Sequence, residues 1–178
     1  MTLDFERARL AMIEQQIRPW EVLDQRVLDA MLATRREDFV AEAQRALAFT
    51  DVALPLGGGE YMMKPVVEGR ALQALDIAPE HEVLEVGTGS GYLTACLSRL
   101  ARAVTSIDIE PAFVDAARAR LAAAGCSNVE LQVADGLSTP TPPALRSPAC
   151  MLLGPVTSGT QSHPPRQPIL CAVERART

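Results

Sequence analysis

The chain has 178 residues, 48% hydrophobic and 22% charged, which is the composition of one globular domain with room for a core. A formal net charge of -5 without any Lys/Arg cluster argues against nucleic acid as the main partner, and no apolar run reaches the roughly 18 residues of a membrane span. Cys96, Cys126, Cys150 and Cys171 form no CxxC pair, so buried, inert thiols in a reducing cytoplasm are expected, and the charged, helical opening MTLDFERARL is not a secretory leader.

Residues 1–80 read as a helical front end. Leu10, Ile13 and Ile17 recur at helical spacing until Pro19 stops the helix. Asp24 can cap a second helix whose inner face is Val27, Ala30, Met31 and Thr34. Strand-like pieces follow around Phe49 to Leu56, then a flexible turn at Gly57-Gly58-Gly59. Pro65 suits the first turn of a further helix, with Val67, Leu72 and Leu75 inward.

From Glu82 the pattern alternates strand and helix. The spacing predicts a strand over Glu82 to Val86 and then a helix burying Leu93, Cys96, Leu97 and Leu100. A second strand, Ala103 to Ile107, ends at Asp108. Pro111 opens a helix burying Phe113, Ala117 and Leu121, which Gly125 closes. A third strand, Val129 to Val133, ends at Asp135-Gly136. This alternation predicts an α/β fold: a parallel sheet with helices on both faces, carrying a helical N-terminal extension.

Residues 138–178 differ in character. They hold eight of the thirteen prolines and four arginines, with Glu174 as the single acid. One apolar run, Ala149 to Val156, can form a fourth strand, although Gly154-Pro155 interrupts it. The segment reads as an irregular Pro-rich tail, either a genuine flexible tail or the product of a slipped reading frame. The second explanation fits better, because a parallel sheet should not stop at three or four strands.

Chemistry concentrates where the first strand meets its helix, at Glu85-Val86-Gly87-Thr88-Gly89-Ser90-Gly91. A dinucleotide fingerprint needs glycine at 92, and Tyr92 stands there. E-x-G-x-G-x-G instead resembles motif I of S-adenosylmethionine methyltransferases with a Rossmann-like fold, so S-adenosyl-L-methionine is the expected cofactor and residues 81–137 its binding half. The turn Gly87 to Gly91, including Thr88 and Ser90, can bring backbone N–H groups and a helix N-terminus to the cofactor's carboxylate end. Asp108, 17 residues beyond Gly91, can accept both ribose hydroxyls. Asp135, followed by Gly136, can meet the adenine amino group, and Glu85 can orient the turn or the methionine amine. Simpler roles exist for two of them: Asp108 as a helix cap before Pro111, and Asp135 as a turn former. No metal-ligand spacing appears, and His81 and His163 are isolated, His81 reading as a solvated loop residue.

Further segments narrow the resemblance: Arg26-Val27-Leu28-Asp29-Ala30-Met31, Arg36-Glu37-Asp38-Phe39-Val40, Ala48-Phe49-Thr50-Asp51 leading to Leu54-Pro55-Leu56-Gly57, Gly59 to Pro65, Val104-Thr105-Ser106-Ile107-Asp108, and Asn128-Val129 through Asp135-Gly136. Over residues 10–137 the chain resembles protein-L-isoaspartate O-methyltransferases. The resemblance implies repair of damaged proteins: methylation of the abnormal carboxylate of L-isoaspartyl residues, with the front end on the substrate side and a monomer in the cytoplasm. The chain departs from the family in two places. The family's G-x-G-Q-T-I-S-x-P loop reads Gly57-Gly58-Gly59-Glu60-Tyr61-Met62-Met63-Lys64-Pro65, so Met63 occupies the position of the serine beside the substrate carboxylate. Glu60 replaces the glutamine and would repel a carboxylate unless Lys64 offsets it. The family's next strand, an aromatic residue followed by Asp, is not legible after Gly136. Two alternatives stand beside this reading: a methyltransferase of the same fold with another acceptor, or a truncated, non-catalytic product.

Overall fold

The computed structural model describes residues 4–136 and the backbone of Ala149–Leu153. Asp4 caps helix α1 (Phe5–Met12) by accepting from the Arg7 amide, 3.1 Å away. A π turn, Ile13–Ile17, and a 3₁₀ turn, Arg18–Trp20, continue it. Arg9, Met12 and Ile13 share one helical face and are buried, and Ile17 at the end of the wider turn is buried with them. Leu10, expected inward, is 49% exposed. Asp24 caps α2 (Gln25–Ala33) as expected, through the Arg26 amide.

The strand-like stretch resolves into a hairpin, β1 (Leu54–Gly57) and β2 (Glu60–Met62), with a register shift between Pro55 and Gly57. Phe49 lies before it, buried in the core rather than on a strand. Helix α3 (Pro65–Ala74) opens on its proline and buries Val66, Glu68, Ala71 and Leu72. Val67, expected inward, is only half-buried, because the helix turns its 65–68–72 row to the core.

Four parallel strands then form the sheet, in the order β5 (Val129–Val133), β4 (Ala103–Asp108), β3 (Glu82–Val86), β6 (Ala149–Leu153). Helices α4 (Tyr92–Leu100) and α5 (Pro111–Ala123) connect β3 to β4 and β4 to β5. In α5 Val114 is buried, whereas Phe113, expected inward, is half-buried. The run expected as a fourth strand from Ala149 pairs with β3 and ends at Leu153, before Gly154-Pro155. Residues 137–148 and 154–178, to which the remaining tail readings apply, lie outside the described residues.

One apolar cluster joins the front end to the sheet, uniting Met12, Ile17, Met31 and Phe39 with Val83, Tyr92, Leu97 and Val104. A smaller cluster, Leu84, Val86 and Ile107, lies apart from it. Strand residues alternate between faces, so Glu85 belongs with Val83, turned toward α4. The β3–β4 register places it beside Ser106.

Candidate active site

The carboxyl ends of β3 and β4 open onto a cleft of about 580 Å³. One side is the glycine turn. Gly87, Gly89 and Gly91 all have positive φ, and the Gly91 amide donates to the Thr88 carbonyl at 2.8 Å. At Gly91, with φ of 83°, a side chain would be strained and its Cβ would stand 3.0 Å from Ala117 Cβ. This close approach seats α5 against the turn at the start of α4.

Asp108 ends β4 and is buried. Its Oδ2 accepts from the Gly89 amide at 2.9 Å and its Oδ1 from the Glu110 amide at 3.0 Å. It therefore makes the local turn ahead of α5, and the same carboxylate fixes the glycine turn. Each oxygen keeps a further lone pair for a ligand.

Glu85 is 1% exposed. Its Oε2 accepts from Thr94 and, at 2.6 Å, from the Ser106 hydroxyl. Ser106 spends its one proton there, so Thr88 donates to Ser106 across 2.6 Å. Thr88 on the turn, Ser106 on β4 and Glu85 on β3 thus form one relay. Glu85 Oε1 has no hydrogen-bond partner. Burial, with Asp108 nearby, pushes Glu85 up to about 7 against the pull of the two hydroxyls.

The hairpin closes the opposite side with Leu56, Glu60, Tyr61, Met62 and Met63. Met62 is core, 3% exposed. The Met63 carbonyl accepts from Arg36 Nη2 at 2.7 Å. Arg36 is fully buried; it also donates to the Ala48 carbonyl at 2.8 Å, pairs with Glu68 and lies 4.6 Å over the Tyr92 ring. Glu68 itself lines the cleft, and burial pushes it up to about 7 despite Arg36, with Glu85 and Asp51 adding to the rise.

The structure therefore gathers Glu85, Gly87, Thr88, Gly89, Ser90, Asp108, Asp135 and Gly136 on one cleft with Glu60, Tyr61, Met62 and Met63. Gly136 approaches so closely that a Cβ there would collide with Val86 Cγ1. Three expected residues do not line the cleft: Gly91 backs the turn, Gly59 forms the hairpin tip, and Lys64 is the exposed residue before α3. His81, expected to be solvated, locks a local turn, its Nδ1 accepting from the Ala78 amide at 3.0 Å.

Sequence reasoning missed Glu68, Ser106, Thr94, Arg36 and Phe113. A signal existed for Glu68, which lies four residues before Leu72 and seven before Leu75 and so shares their helix face. Six carboxylic side chains line the cleft, Glu60, Glu68, Glu85, Asp108, Glu110 and Asp135, and no Lys, Arg or His does among the described residues. The donor set suits a ligand with a cationic group near the orphaned Glu85 oxygen and hydroxyls near Asp108. Among the described residues no Ser-His-Asp or Cys-His arrangement lines the cleft, and burial pushes the Cys96 thiol up to about 12, which leaves it inert.

Residues 7–143 match the family profile of protein-L-isoaspartate(D-aspartate) O-methyltransferases. A protein-L-isoaspartate O-methyltransferase of Rhodopseudomonas palustris (strain BisB18) is 44% identical over 129 residues, covering 72% of this chain and 60% of that protein. One of Roseiflexus castenholzii is 42% identical over 134 residues, covering 75% and 61%. The chain thus spans about three fifths of the length of the curated relatives it matches. The fold is shared with a Plasmodium falciparum protein described as a protein-L-isoaspartate O-methyltransferase in complex with S-adenosyl-L-homocysteine, at a TM-score of 0.67 and 14% identity over 89% of this chain and 86% of that one.

Proposed function

The chain belongs to the protein-L-isoaspartate O-methyltransferase family, and from that premise we propose that it transfers a methyl group from S-adenosyl-L-methionine to the free carboxylate of L-isoaspartyl residues in damaged proteins. The observation that carries this reading is the single cleft uniting the glycine turn and Asp108 with the hairpin wall. The glycine turn would hold the cofactor's amino-acid end, Asp108 its ribose hydroxyls and Asp135 its adenine side, with Glu85 toward its cationic end.

When bound, the cofactor supplies an electrophilic methyl on a sulfonium. An ionised carboxylate needs no general base, which suits a cleft with no acid–base pair of the His type. What the chain supplies is position and dryness. Leu56, Met62, Leu93 and Phe113 form apolar wall around the polar groups. Arg36, through the Met63 carbonyl and Glu68, fixes the acceptor wall, and through Tyr92 it ties that wall to the start of α4. The Met63 side chain offers no hydrogen bond at the family's serine position, so acceptor recognition there falls to backbone and to neighbouring groups.

A monomer in the cytoplasm is part of the same reading. Cys96 and Cys126 are free thiols, as a reducing compartment would keep them.

Paired peptides that differ only in an isoaspartyl or aspartyl residue test the assignment with radiolabelled cofactor. Base-labile methyl ester on the isoaspartyl peptide alone is expected. Equal labelling of both, or labelling of neither while cofactor still binds, would sink the repair reading and leave a methyltransferase with another acceptor.

A further inference from the structure

The amino-acid end of the cofactor carries an α-ammonium and an α-carboxylate on one carbon. The protein groups that meet them must therefore be held in register with each other. Resting on the function proposed above, we propose that Ser106 and Thr94 are positioning residues for that end. They pin Glu85 so that Oε1 is the oxygen offered to the α-ammonium, and Ser106 ties that carboxylate to the turn that takes the α-carboxylate.

The hydroxyl protons fix the direction of every bond. Thr88, Thr94 and Ser106 have one each, and an ionised Glu85 only accepts. Thr94 donates to Glu85 Oε2, and Ser106 donates to the same oxygen at 2.6 Å. Ser106 has no proton left, so Thr88 donates to Ser106. All three hydroxyls are thereby used, and the one buried side-chain atom of the group without a partner is Glu85 Oε1. A buried acceptor without a donor is destabilising, and a donor group on a ligand removes that deficit.

The four side chains divide between wall and core. Glu85 and Thr88 line the cleft, whereas Ser106 and Thr94 do not. Both of the latter are 0% exposed, so they act on a ligand only through Glu85 and Thr88. The parallel register sets Ser106 beside Glu85 on the neighbouring strand, and the glycine turn brings back α4 with Thr94 in its first turn. The terminal torsion of a glutamate is otherwise broad. Two donors from different elements on one oxygen fix it, and leave the other oxygen free. Packing alone does not account for the pair, because Ala at 106 and Val at 94 would fill the same core without burying two hydroxyls.

Titration calorimetry of the 178-residue chain with S-adenosyl-L-homocysteine and with methylthioadenosine tests this. The second ligand keeps the nucleoside and the thioether but lacks the amino-acid end. The unaltered chain is expected to bind the first about tenfold or more tighter. Ser106→Ala and Thr94→Val should each weaken S-adenosyl-L-homocysteine about tenfold, the worth of one oriented hydrogen bond to a charged group, and leave methylthioadenosine unchanged. A loss shared equally by both ligands, or no loss of either, overturns the proposal, since a merely structural role would not single out the amino-acid end. Equal affinity of the unaltered chain for the two ligands overturns it as well. If Ser106→Ala does not fold, Thr94→Val, which keeps the side-chain shape, decides the matter. Failure of the unaltered chain to bind either ligand overturns the cofactor reading, and the positioning pair falls with it.

Discussion

Replacing Arg36 by alanine should cost about 3–5 kcal/mol of folding stability, because it leaves the Glu68 carboxyl buried without its counter-charge. The loss goes beyond one ion pair. Arg36 also satisfies the carbonyls of Ala48 and Met63 and stacks on Tyr92, which packs edge-on to Phe39 at 5.8 Å. A small domain typically has only about 5–15 kcal/mol of stability in total, so the single variant should be barely folded. A paired change, Arg36→Met with Glu68→Leu, should recover much of the loss, since a buried ion pair is often replaced by apolar groups at little cost. Urea denaturation of the wild type, single and double variants measures both. A single variant that loses less than about 1 kcal/mol would mean that Arg36 is not what ties the hairpin wall to Tyr92 and the start of α4.

Asp108→Ala should weaken S-adenosyl-L-homocysteine binding by about a hundredfold or more, while changing stability by only about 1 kcal/mol. The carboxylate holds the Gly89 and Glu110 amides in the free protein and has lone pairs left for two ribose hydroxyls. Losing it loosens the turn and removes both ligand acceptors together. Asp108→Asn keeps one acceptor oxygen and should fall between the two. Titration calorimetry beside a thermal melt separates the outcomes. Unchanged affinity with a lowered melting temperature would reduce Asp108 to a structural cap.

Elements whose signals are local were legible from sequence. Glu82 to Val86, the proline starts of α3 and α5, the Asp24 cap and the closing Gly125 all appear as read, because each depends on residues within a turn or two. The glycine turn and the two strand-end acids met on one edge because parallel strands end on one side. Leu10 was misplaced because the buried face of α1 runs through Arg9, Met12 and Ile13 at i, i+3 and i+4, and a buried arginine on that face is not a signal that apolar periodicity carries. The Arg36–Glu68 pair joins residues 32 positions apart on different helices, so no periodicity could show it. Val114 rather than Phe113 is covered because Val114, Ala117 and Leu121 lie on one stripe of α5 at i, i+3 and i+7. In the hairpin, the glycine run did predict a turn, but the register, which puts Glu60 to Met63 in the cleft and Gly59 and Lys64 out of it, depends on a shift between Pro55 and Gly57.

A chain folded around a cofactor cleft should be stabilised by the ligand that fills it. Thermal unfolding with and without saturating S-adenosyl-L-homocysteine, with NAD as control, tests it most directly. A ligand bound only by the native state adds about 2.7 kcal/mol at a hundred times its Kd. One cooperative transition is expected, raised by the nucleoside thioether and indifferent to NAD. A melt without cooperativity, or one that S-adenosyl-L-homocysteine leaves unmoved, would contradict it.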